Sequence, residues 1–170
     1  MDRSFGLAMI VTVLSVSAAH AGDWVARNVT DKAGGNIGIG TTSVGEIQER
    51  TGNFPAELTI NCSKGATTVF VTSKFTSFGR DDVPIEFTTD GDGLQKARWS
   101  ICDDKNCAGL WDDWGIRFIK SLFGKSTIRM TFYRRVGEPL SATFPIAGAR
   151  QAIEPVGEAC GWIPKAPAAR

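Results

Sequence analysis

The residues with the most chemistry to offer are four cysteines, Cys62, Cys102, Cys107 and Cys160, and two aspartate pairs near the middle two, Asp103-Asp104 and Asp112-Asp113. Cysteines can bridge or ligate a metal, and a pair of carboxylates can supply the acid and base of a glycosidase. Cys102 and Cys107 lie five positions apart across Asp103-Asp104-Lys105-Asn106, a spacing that can close the tip of a hairpin. That choice leaves Cys62 with Cys160, although four cysteines admit three connectivities and spacing does not decide among them. The long bridge closes a loop of about 100 residues and removes roughly 4 to 5 kcal/mol of unfolded-state freedom. Zinc is the poorer reading, because C-x4-C without histidine or a second close pair is a weak ligand set. No metal and no cofactor is therefore expected. The aspartate pairs read as solvated turns and helix caps.

Catalytic motifs fail on their details. Gly124-Lys125-Ser126 copies the end of a phosphate-binding loop, but the first glycine of that motif would stand at Ile119, and the segment runs from helix into strand. Asp90-Gly91-Asp92-Gly93 resembles the start of a calcium loop, yet Ile101 occupies the twelfth position where a bidentate glutamate belongs. Both are expected to be structural punctuation. There is no Gly-x-Ser-x-Gly elbow and no Ser-x-x-Lys pair in the mature chain. The one histidine, His20, falls in a leader: Arg3 opens a short charged region, Phe5 to Val16 are apolar, and Ala19-His20-Ala21 is a small-x-small cleavage pattern. Residues 1–21 are expected to be a signal peptide, with the mature chain starting at Gly22 in the periplasm or outside the cell. The apolar run is shorter than the ~20 residues that span a bilayer, so no membrane span is expected in the mature chain. Removing His20 takes away the commonest general base and the commonest metal ligand, and an enzyme is not expected.

The formal charge is +1 and no long basic run occurs, which leaves no electrostatic footprint for nucleic acid. Binding a protein is the remaining class. Trp111 and Trp114 flank Asp112-Asp113, an arrangement of aromatic anchors with a polar rim that suits a partner surface, with Asp103 and Asp104 nearby in sequence.

These residues sit in a chain dominated by period-two alternation. Leu58, Ile60 and Cys62 alternate with Thr59 and Asn61, and Thr67 to Phe75 follow across Ser63-Lys64-Gly65 as the second arm of a hairpin. Val83, Ile85 and Phe87, then Ala97, Trp99 and Ile101, make a second hairpin around the Asp90 to Gly93 turn. Ile128, Met130 and Phe132, then Leu140, Ala142, Phe144 and Ile146, make a third across Gly137-Glu138-Pro139. The period changes between them. Trp114, Phe118 and Leu122 at i, i+4 and i+8 predict a helix with Asp112-Asp113 as caps and Gly124 at its C′ position. Ala149 to Glu154 predicts a short helix stopped by Pro155. From Gly22 to Asn53 the glycines predict sparse structure, with an edge strand at Trp24-Val25 and one helical turn over Val44 to Arg50. The fold class is mostly β: an antiparallel β-sandwich or flattened barrel with one or two short helices. One β-rich domain over residues 22–163 is expected, with a flexible tail at 164–170.

The segments Leu58 to Cys62 and Thr67 to Val71 resemble the VasI/TagO family of type VI secretion-associated periplasmic proteins. The resemblance continues through Trp99-Ser100, the Phe118 to Leu122 helix, Thr143 to Gly148 leading into Ala152-Ile153, and the closing Ala159-Cys160-Gly161-Trp162. It implies an exported accessory protein without established chemistry, and it also implies the pairing of Cys62 with Cys160. The small cysteine loop and the leader resemble a second periplasmic group, the invasion-associated locus B proteins. Together these features predict a non-catalytic binding or accessory protein with a protein partner in the periplasm or cell envelope. The alternative is an inhibitor or immunity-type protein that uses the braced stretch from Cys102 to Trp114 to plug an enzyme.

Overall fold

Alternation of apolar and polar residues does build a sheet, and it closes on itself. The structure, a computed structural model, describes residues 24–30, 33–80 and 82–165; the expected signal peptide, His20 included, and residues 166–170 of the expected tail lie outside the described residues. Among the described residues the strands are β1 (Trp24–Thr30), β2 (Asn36–Glu49), β3 (Gly52–Ser63), β4 (Ala66–Thr72), β5 (Val83–Thr89), β6 (Gln95–Ile101), β7 (Cys107–Trp111), β8 (Thr127–Phe132) and β9 (Leu140–Pro145). The helices are α1 (Asp112–Ser121) and α2 (Ala149–Ala159). The strand order is β1-β2-β3-β4-β7-β6-β5-β8-β9, and β9 pairs back onto β2. Every pairing is antiparallel. Eight strands therefore form a closed barrel, with β1 as an added ninth strand; of the two expected architectures, the barrel is realised.

The fourteen-residue β2 makes closure possible. Its first half, Asn36 to Ser43, pairs with β1, and the same edge pairs with β9 at Glu46 to Gln48. Sparse structure and a helical turn at Val44 to Arg50 are thus corrected to long β-strand. The glycines that suggested a broken chain are points of close approach instead: a Cβ on Gly40 would collide with the Asn61 side chain, and one on Gly45 with the carbonyl of Thr143.

The barrel is filled with side chains. Leu58, Ile60, Val69, Ile85, Trp99, Met130, Phe132 and Phe144 are buried, and α1 adds Phe118, Ile119 and Leu122. Trp99 presents its ring edge-on to Phe118 at 5.1 Å and to Phe132 at 6.1 Å, geometry that aromatic rings favour. The α2 helix runs through Pro155 to Ala159 rather than stopping before it. Pro155 lies on the exposed side, while Ile153, Val156 and Gly157 continue the packed face beyond it, so tertiary packing outweighs the lost helix bond.

Candidate functional site

The short strand β7 passes into α1 with no intervening loop, and that junction sets the geometry of the site. Trp111 is the N-cap in extended conformation, and Asp112 takes φ of 51°, a left-handed turn that aspartate tolerates better than most residues. No side chain caps the helix. The expected capping role of Asp112 and Asp113 is therefore corrected: both occupy the first helical turn, where the helix dipole favours negative charge. At the other end Leu122 is the C-cap, and Gly124, at φ of 74°, reverses the chain two residues later.

The β6–β7 ladder is short, holding two pairs, Ser100 with Gly109 and Ile101 with Ala108. Beyond Ser100 the strands diverge, and Phe118 fills the space, packing on Trp99 and on Phe87 at 5.2 Å. The direction of the freed main chain follows from the register. Tyr133 donates its N–H to the Pro84 carbonyl on the β8 side, so Pro84 directs its polar backbone away from β6. Alternation then places Val83, Ile85 and Phe87 toward β6, opposite Trp99, Ala97 and Gln95. The N–H and C=O groups of Lys96 and Arg98 consequently point across the open seam. Among the described residues no strand pairs with them there.

A cleft of about 860 Å³ occupies this seam. Lys96, Ala97 and Arg98 form one wall, Trp114, Arg117 and Phe118 the other, with Trp111, Asp112 and Asp113 at one end. Trp111 is 41% exposed and Trp114 67%, so neither belongs to the core despite their apolar character. Trp111 leans back over Gly109, where a Cβ would come within 3.3 Å of its Cη2. The Arg117 guanidinium stacks over the Trp114 ring at 4.8 Å, stiffening the opposite wall. Lys96 pairs with Glu86 at 2.8 Å, and the Tyr133 hydroxyl donates to Glu86 at 2.7 Å. Hydrogen bonds from Lys96 and then Tyr133 hold the Glu86 carboxyl below its ordinary range, and Glu86 in turn raises both Lys96 and Tyr133.

Trp111, Asp112, Asp113 and Trp114 are thus brought together as one surface. Asp103 and Asp104 are not among them. They sit on the Cys102–Cys107 turn at the opposite end of β7, separated from Trp111 by about 13 Å of strand. Lys96, Arg98 and Arg117, which complete the cleft, were not legible as site residues, since their place depends on where the β6–β7 ladder ends.

Both disulfides join the expected partners: Cys62 to Cys160 with Cα atoms 5.6 Å apart, and Cys102 to Cys107 at 5.4 Å. The first ties α2 to β3, beside a hydrogen bond from Trp162 Nε1 to Thr67 Oγ1 at 3.0 Å. The second closes the β6–β7 hairpin at its tip. Cys102, Asp104 and Cys107 bring donor atoms within 4.8 Å of one another, but bridged sulfurs offer no thiolate to a metal.

The two tempting loop motifs brace each other. The Asp90 carboxylate accepts the N–H groups of Ser126 and Thr127 at 2.7 to 3.0 Å, and Asp92 pairs with Lys125 at 2.7 Å while accepting the Thr89 hydroxyl. These bonds hold both carboxyls below their usual range: N–H groups of Thr127 and Ser126 act on Asp90, Lys125 and Thr89 on Asp92. Calcium-like loop and phosphate-like loop are therefore one structural clasp between the β5–β6 turn and the start of β8.

Among the described residues no helix is long and apolar enough to cross a membrane. No family model matches the sequence, and no curated protein is similar to it. Among solved structures the chain is similar to invasion associated protein B from Bartonella henselae, at 11% identity and a TM-score of 0.40, over 78% of this chain and 82% of that one. The barrel assignment stands on the strand pairings of this chain alone.

Proposed function

We propose that this chain is an exported, non-catalytic binding protein of the periplasm, accessory to type VI secretion or another cell-envelope process, and that it holds an extended segment of a protein partner between β6 and α1. One observation carries the reading: the unpaired main chain of Lys96 and Arg98 lies beside two exposed tryptophans in a single cleft. An unpaired strand edge is a template for another strand, and aromatic anchors beside it supply affinity. The two disulfides support an oxidising compartment, and the resemblance of the Cys62 and Cys160 segments supports the envelope. Asp112 and Asp113 are adjacent on one turn, which suits a rim better than the opposed carboxylates of a glycosidase. For the inhibitor alternative, residues 107–111 of the braced stretch are strand β7, so the part it would present is the disulfide-closed turn from Cys102 to Cys107.

Pull-down from periplasmic extract, combined with a photocrosslinking residue at position 96, tests this reading. Trp114→Ala should weaken capture and crosslinking and Arg98→Pro should abolish both, whereas Arg98→Ala should retain both. The proline removes an N–H aimed at the seam but leaves the ladder to β5, which uses Ala97 and Trp99, intact. Equal capture by correctly folded Arg98→Pro protein would defeat strand addition, and a wild type that crosslinks to nothing would defeat the binding reading.

A further inference from the structure

We infer that the barrel carries a second, independent site, an anion-binding cavity for a phosphate ester, sharing no lining residue with the cleft between β6 and α1. The cavity, about 690 Å³, lies beside the start of β5. Arg80, Lys105, Arg134 and Arg135 line it over a floor of Phe78 and Val83, with Asp82 the one carboxylate among the described lining residues. A chain whose net charge is +1 thus concentrates four cations around one hollow. Among the described residues no carboxylate pairs with Arg80 or Lys105, so their charge is open to a bound anion.

The convergence is built by the fold. The cations come from three separate segments: the approach to β5, the Cys102–Cys107 turn, and the turn after β8. Hydrogen bonds to main-chain carbonyls tie these segments to one another. The Phe78 N–H donates to the Lys105 carbonyl at 2.9 Å, and Arg134 Nη1 donates to the Ser77 carbonyl at 3.1 Å. Arg134 Nε and Nη2 both reach the Glu138 carbonyl, at 3.1 and 2.8 Å. Carbonyl oxygens orient the guanidinium, and Glu49 forms an ion pair with it at 3.9 Å. With its side chain 18% exposed, Arg134 is held in place as the rigid wall against which Arg80 and Lys105 stand. Lys105 is held by its N–H bond to the Cys102 carbonyl, inside the turn that the short disulfide closes.

The cavity is larger than an inorganic phosphate needs, and its floor is apolar, with Val136 84% exposed at the rim. A phosphate carried on an organic group fits both features. Such a group is shared by soluble phosphate esters and by anionic phospholipid headgroups.

Calorimetric titration with glycerol 3-phosphate and flotation with phosphatidylglycerol against phosphatidylcholine vesicles separate the two sources. Arg80→Gln/Lys105→Asn removes two exposed cations, asparagine being suited to the left-handed φ of 62° at position 105. Lys64→Gln/Arg150→Gln removes the same charge elsewhere. Wild type should bind the soluble ester, the anionic vesicles or both, with affinity falling at least tenfold in the first variant and unchanged in the second. Binding to the ester alone identifies a soluble ligand, and binding to the vesicles alone a headgroup. Arg80→Gln by itself serves if the double variant misfolds. No binding to either probe, or an equal loss in the control variant, overturns the proposal.

Discussion

Breaking the two disulfides separately should give unequal losses, because loop length sets how much unfolded-state freedom each removes. Cys62 and Cys160 are 98 residues apart, for which loop closure gives about 4.7 kcal/mol, against about 2 kcal/mol for the separation of 5 between Cys102 and Cys107. Packing does not confound the comparison, since Cys62 and Cys107 are both buried and alanine removes the same atom from each pair. Cys62→Ala/Cys160→Ala and Cys102→Ala/Cys107→Ala should be compared by equilibrium urea unfolding at pH 7, followed by tryptophan fluorescence. The long-loop variant should lose about 2 to 3 kcal/mol more than the short-loop variant, and its thermal midpoint should fall by roughly ten degrees or more. Its m-value should also rise further, as the freed chain exposes more surface on unfolding. Equal losses, or a costlier short bridge, would show that the disulfides act through native contacts and would refute the loop-entropy reasoning.

Four further outcomes are expected. Asp90 and Asp92 have folded pKa values below their unfolded value near 3.8, so the unfolded state binds more protons in acid; stability is complete above about pH 5 and falls as pH drops through the folded values. Asp90→Asn should shallow that acid dependence in urea titrations, and an unchanged slope would count against the clasp. Lys96 and Tyr133 are raised by Glu86, so their contribution is present below about pH 10 and lost as pH climbs through the folded values; Glu86→Gln should flatten the alkaline limb. Gly45→Ala drives a Cβ into the Thr143 carbonyl where β2 meets β9 and should cost about 1 to 3 kcal/mol or more, whereas Gly93→Ala, with nothing within 4 Å, should stay within about 0.5 kcal/mol. Trp111→Ala and Trp114→Ala should leave the thermal transition cooperative while weakening partner capture; a collapsed transition would place either ring in the core.

Legibility followed the local patterns. The three hairpins from Leu58 onward declared themselves because apolar positions alternate and turn residues separate them, and they appear as β3–β4, β5–β6 and β8–β9. The β2 strand did not, because Gly38, Gly40 and Gly45 break its pattern, and their reason is steric contact with β3 and β9, partners remote in sequence. The β7 strand was hidden by its length of five residues and by Gly109, where a Cβ would collide with the Val69 carbonyl and Phe70 Cβ on β4. Trp111, Asp112, Asp113 and Trp114 were legible as a surface because aromatic residues with acidic neighbours stand out by type. Their opposite wall was not. Lys96 and Arg98 look like ordinary exposed strand residues until the ladder beyond Ser100 is known to be missing.

That missing ladder has a physical origin in α1. Paired strands lie about 4.8 Å apart, whereas a helix with its side chains is about 10 Å across. Because α1 begins at the residue after β7, its first turns have no loop in which to swing clear of the sheet. Phe118 must also reach Trp99 and Phe87, which are in the wall formed by β5 and β6. A helix so placed cannot sit beside β6 at ladder spacing, so β6 and β7 part after Gly109, on the approach to α1, while the disulfide at Cys102–Cys107 holds the other end of the hairpin together. The opening this creates is on the scale of one additional strand, bounded by backbone donors and acceptors on one side and tryptophans on the other. The same constraint that shortens the β6–β7 ladder therefore shapes the cleft beside it, where the proposed partner segment would lie.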